Sequence, residues 1–145
     1  MKWITRARPK TDRIACPWLI RRFIDPEAEF AFVPADDVLS RAEREGATSF
    51  DAPGARYTHR GNLCTFEVLV AEHDLASGDA ALGELARIVH AADIAGEEGT
   101  HPFGAAISAI GTAGLDVEDN DHRLLERGLF VYDALYAWCQ RNTGA

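Results

Sequence analysis

The sequence predicts a helix-rich α+β fold. A small sheet of about three strands with crossover helices fills the N-terminal half, and a helical C-terminal half packs on it. Three observations lead there. Two short runs rich in aromatic and β-branched residues, Trp3–Arg6 and Glu29–Val33, flank a helical stretch, which is the spacing of a strand–helix–strand unit. From residue 65 onward apolar residues recur at helical intervals. The 145 residues, with no repeat, low-complexity tract or linker, suffice for one domain with a real core.

Taken in order, Trp3–Arg6 is the first strand. Pro17 is expected at the first position of a helix, where its missing N–H would be unpaired anyway. That helix runs through Ile24 and stops at Asp25, because the residue before Pro26 resists helical geometry. Glu29–Val33 is the second strand. Asp36 or Asp37 then caps a helix to about Glu45, ended by Gly46. Thr48–Phe50 makes a short third strand, so the unit is a parallel β-α-β-α-β, whose crossovers are expected to be right-handed. Thr65 caps a helix to about His73. Ser77 or Asp79 opens another through roughly Ala95, Pro102–Ala113 forms a helix of small residues, and Asp119 or Asn120 opens the last, to about Gln140. That last helix carries Leu125, Leu129, Tyr132, Leu135, Tyr136 and Cys139 on one stripe, with Leu124, Val131 and Trp138 beside it. An apolar surface this wide predicts burial on several sides.

Composition narrows the function. Hydrophobic residues make up 47% and charged residues 26%, which excludes a disordered chain. No apolar run approaches the roughly 20 residues of a membrane span, and no apolar segment follows the basic N-terminus, so neither a membrane nor a secretory leader is expected. Three cysteines (16, 64, 139) with no paired spacing point to reduced thiols and a cytoplasmic location. Net charge is −8, yet the first 25 residues hold seven Lys/Arg against Asp12 and Asp25. An acidic body disfavours a nucleic-acid surface on this domain alone; the basic segment could hold a small anion.

The chemistry concentrates in the middle of the chain. His59, Cys64 and Glu67 fall within nine residues, and His90 and Asp93 lie one turn apart in an apolar helical stretch. At about 100° per residue, Asp93 falls about 40° from Val89, inside the apolar arc, with His90 at its edge. A carboxylate there needs a partner. His59, Glu67, His90 and Asp93 are therefore expected metal ligands, with Cys64 as a possible fifth, for Zn, Fe or Mn. The competing reading makes Glu67 a capping-box partner and Asp93 half of an ion pair.

Elsewhere, Cys16 before a helix start is a candidate thiol nucleophile, its pKa lowered by the helix dipole and Arg13. Arg6, Arg8 and Arg13, with Thr5 and Thr11, could bind an oxyanion. Asp133, a mid-helix acid, is expected in a structural ion pair with the basic N-terminal segment. His122 at the entrance of the last helix is a weaker ligand candidate, and His73 and His101 are expected in loops or on the surface.

The segments Arg8–Pro26, His59–Glu67, Ile88–Ile94 and Tyr132–Cys139 resemble the chromate-resistance ChrB-type domain family. The likeness spans nearly the whole chain. It implies a link to chromate or oxyanion stress and, since longer members place a regulatory half before this domain, the later domain standing alone. It supplies no catalytic residues. The function expected is a metal-binding sensor or accessory domain in chromate resistance. An enzyme detoxifying chromate or reactive oxygen through a metal or thiol is an alternative, as is a ligand-free interaction module. The expected partner is a metal ion or a small oxyanion, and homo-oligomerisation stays open.

Overall fold

The computed structural model describes residues 1–143. Three parallel strands, β1 (Lys2–Arg6), β2 (Glu29–Val33) and β3 (Thr48–Ser49), lie in the order β2-β1-β3. Lys2 pairs with Glu29 through to Arg6 with Val33, and Trp3 and Ile4 pair with Thr48 and Ser49. The central strand is buried on both faces, which is why Trp3, Ile4 and Thr5 read as a continuous run rather than an alternation.

Helix α1 (Asp12–Leu19) continues as a wide π-helical turn over Ile20–Ile24, closed by the Asp25 N–H donating to the Ile20 carbonyl at 2.6 Å. The expectation that Pro17 begins the helix is corrected: Pro17 lies inside it. Thr11, at φ 44°, turns the chain early, and the N–H groups of Ile14 and Ala15 already bond its carbonyl. Interior proline costs about 3 kcal/mol. The burial of Ile14 through Leu19 between the sheet and the later helices offsets that.

Helix α2 (Val38–Glu45) ends at Gly46 with φ 64°, as expected. The helical half comprises α3 (Thr65–Glu72), α4 (Ala80–Asp93), α5 (Gly104–Val117) and α6 (Asp121–Asn142). Asp79 accepts from the Leu82 N–H and Asn120 from the Arg123 N–H, which decides both open capping choices. Thr65 is the first helical residue of α3, not its cap; Cys64 holds that place, with Glu67 completing the capping box.

The sheet separates two cores. Ile4, Val33, Val38 and Ala42 form a small one beneath α2. Trp3, Phe30 and Phe50 face the larger one with α1, α3, α4 and α6. Helix α6 is buried along Leu125, Tyr132, Tyr136 and Cys139 but not on several sides. Phe130, Asp133 and Trp138 are exposed, because no further element packs beyond it among the described residues. His101, expected on the surface, is buried: its Nδ1 accepts from the Phe103 N–H and its Nε2 donates to Glu84 at 2.9 Å.

Candidate metal centre

The carboxyl ends of β1 and β3 converge with the start of α3 and the end of α4, and four side chains meet there. In parallel sheets this edge is where loops gather around ligands. Asp12 opens α1 after the β1 loop, Asp51 follows β3, His59 comes from the loop before α3, and Asp93 is the last residue of α4. The Nε2 of His59 lies 3.2 Å from Asp93 Oδ2 and 3.4 Å from both Asp12 Oδ2 and Asp51 Oδ1. Donor atoms of Asp12, His59 and Asp93 all fall within 4.8 Å of one another.

Asp12 and Asp51 are held from behind. Asp12 accepts from the N–H groups of Thr65 (2.8 Å) and Phe66 (3.0 Å), so it neutralises the unpaired amides of the α3 N-terminus. Asp51 accepts from the Thr65 hydroxyl at 2.7 Å and faces Arg6 at 3.4 Å and Arg13 at 3.5 Å. Among the described residues no arginine lies within ion-pairing distance of Asp93, which sits at a helix C-terminus, the unfavourable end for an anion.

The electrostatics follow. Burial first, then the charges of Asp12 and Asp51, push the Asp93 carboxyl up to about 7. Hydrogen bonds to Asp12 and Asp51 raise His59 to about 10. Burial raises Asp12. Burial also pushes Asp51 upward, but the His59 and Thr65 hydrogen bonds outweigh it and leave Asp51 below its ordinary value. One imidazole N–H cannot serve three carboxylates with good geometry. Ligands of a cation bonded at about 2.1 Å lie roughly 3.0–3.4 Å apart, and the three carboxylate oxygens stand 3.2–3.4 Å from the His59 Nε2. The side chain of His59 is 44% exposed, which leaves a path from solvent.

The four expected ligands fall into two pairs. His59 and Asp93 come together, joined by Asp12 and Asp51. Glu67 and His90 form a separate pair: His90 Nδ1 is 2.6 Å from Glu67 Oε1, and its Nε2 is 3.4 Å from Glu97. Glu67 also accepts from the Cys64 N–H, which turns it toward the start of α3. Cys64 is buried, and burial raises its thiol pKa.

Cys16 is corrected. It lies in the second turn of α1, not before it, so the dipole gives it little help. Burial, then Asp12 and Asp51, raise its pKa well above the ordinary value, and its thiol donates to Asp12 at 3.4 Å. The three arginines also part company. Arg6 and Arg13 turn to Asp51, while Arg8 donates to Asp121 and to the carbonyls of Leu115, Glu118 and Asp119. Their charges are met by the chain's own acceptors. Asp133 lies 3.5 Å from Arg22 and accepts from the Trp18 indole. His122 packs edge-on against Phe32, away from the cluster.

Sequence reasoning missed Asp12 and Asp51 as site residues. Asp12 shares a helix face with Cys16 and Leu19 once α1 is begun at residue 12, so an acid in an apolar arc was the available signal. Asp51 had only its place after a parallel strand.

Residues 3–139 match the family model described as ChrB, C-terminal domain. Protein ChrB of Cupriavidus metallidurans is 38% identical over 135 residues, 93% of this chain, and the chain spans 40% of that relative's length. No solved structure matches the chain. With a family match over nearly its full length and a relative 38% identical across it, the chain belongs to the ChrB C-terminal domain family.

Proposed function

We propose that this domain binds one divalent transition-metal ion through Asp12, His59 and Asp93, and that it acts in chromate resistance as a metal-responsive sensor or accessory domain. The observation that carries this reading is the crowding of three carboxylate oxygens around one imidazole nitrogen at ligand-to-ligand spacing. A half-buried acid that shares its one cationic neighbour, His59, with two other carboxylates, as Asp93 does, favours a proton or a further cation. One nitrogen and several carboxylates suit Mn²⁺, Fe²⁺ or Zn²⁺. An oxyanion is a poor fit, because carboxylates offer it no donors. The three free thiols fit a reducing, cytoplasmic setting.

The sensor role rests on connectivity. The ligands come from α1, the loop before α3, and α4, so an ion would tie the sheet half to the helical half and favour the conformation in which they meet. Isothermal titration with Mn²⁺ and Zn²⁺ tests the binding. Roughly one equivalent is expected, weakened on the order of 100-fold by His59→Gln or Asp93→Asn and changed less than about threefold by His90→Gln. No heat of binding with any of Mn²⁺, Fe²⁺ or Zn²⁺ would overturn it.

A further inference from the structure

Helices α5 and α6 both pack on α4, and a groove of about 250 Å³ runs between them with the start of α1 as its floor. Thr11, Ile14, Ile107, Gly111, Leu124 and Tyr132 line its depth. Three glycines make it possible. A Cβ on Gly111 would meet Thr11 Oγ1 at 2.5 Å, one on Gly128 would meet Ile14 Cγ2 at 2.5 Å, and one on Gly114 would touch Leu124. Apolar surface continues out of the groove: Ile110 and Val117 on its α5 wall are 53% and 68% exposed. Two large apolar side chains this exposed on one groove wall mark an unpartnered apolar surface.

Among the described residues the rim carries one unpaired cation, Lys10, although the chain is acidic. Lys10 and Arg127 line it with Glu118. Glu118 is already shared between Arg123 and Arg127, at 3.2 and 3.4 Å, and Lys10 has no carboxylate within ion-pairing distance among the described residues. We infer that this groove docks an amphipathic helix of a partner protein whose apolar face is flanked by acidic side chains. A trough between two helices accepts a third helix on its apolar ridge. A small apolar molecule in the depth of the groove would leave Ile110 and Val117 in water, so a helix fits the observations better. The unpaired Lys10 sets the sign of the flanking charge.

Two synthetic helices of about 18 residues, sharing one Leu/Phe face and flanked by either Glu or Lys, provide the test by fluorescence anisotropy. The net charge of −8 favours the Lys-flanked peptide at long range. Only the local rim favours the Glu-flanked one. The groove predicts that the Glu-flanked helix binds about tenfold tighter, that Ile110→Glu weakens it by about tenfold or more, and that Lys10→Glu removes or reverses the preference. Both variant positions are exposed, so the fold persists, and the measurement is made without added metal. Failure to bind either helix, or preference for the Lys-flanked one, would overturn the proposal. So would a homodimer in sedimentation that Ile110→Glu dissociates, which would give the groove to a second copy.

Discussion

Asp93 and His59 both contribute to the pH response of the metal-free protein. Both have folded-state pKa values above their ordinary ones, about 7 against 3.8 and about 10 against 6.5. In each case the folded chain holds a proton that the unfolded chain has lost, so stability falls as pH rises, from about 4 to 7 through Asp93 and from about 6.5 to 10 through His59. An uncharged isostere at 93 isolates the first part. Asp93→Asn is expected to stabilise the metal-free protein by on the order of 2 kcal/mol at pH 8 and to change little at pH 4, where the native carboxyl is already protonated. Thermal melts across that range check it; equal effects at both pH values would contradict the repulsion described. Arg8 is a second residue with a measurable task. It ties four acceptors at the junction of α5 and α6, and Arg8→Ala is expected to cost roughly 2 kcal/mol in urea unfolding, with little rescue by Lys, which lacks the planar fork. At this scale His59 and Asp93 were legible, because an acid inside an apolar helical arc requires a partner. Asp12 stayed hidden because Pro17 masked the true start of α1, and Asp51 because a loop residue has no periodicity to read.

Helices and strands were largely legible, since strand-prone runs, capping residues and Gly46 mark their limits. What sequence could not show is which helix faces stay open. Helix α6 has an apolar circumference wide enough for burial all round, yet among the described residues the packing elements lie on one side. The glycines give this scale its sharpest contrast. A Cβ on Gly104 would lie 2.4 Å from the Glu98 carbonyl oxygen and 2.9 Å from Ala91, where the start of α5 approaches α4. Gly104→Ala is expected to cost about 2–3 kcal/mol. Gly83, inside α4, has nothing within 4 Å of such a Cβ, so Gly83→Ala is expected to stabilise by up to about 1 kcal/mol through helix propensity. Denaturant midpoints of the two variants should move in opposite directions; a shared direction would contradict the close approach of α5 to α4.

On the scale of the molecule, a parallel sheet carries α2 on one face and the helical half on the other, and the centre lies where the sheet's carboxyl edge meets that half. No helix among the described residues is long and apolar enough to cross a membrane. Family membership was legible in sequence. The division of the expected ligands into two pairs was not, because spacing alone cannot tell which end of His90's helix turn faces which neighbour. Glu67 is occupied by the start of α3 and by His90, and His59 meets Asp93 instead. The most direct test of the account is an anomalous difference map from crystals of the protein grown with Mn²⁺. The account predicts one peak about 2.1 Å from His59 Nε2 and bonded to Asp12 and Asp93. A map with no peak there, or with its peak between Glu67 and His90, would contradict it.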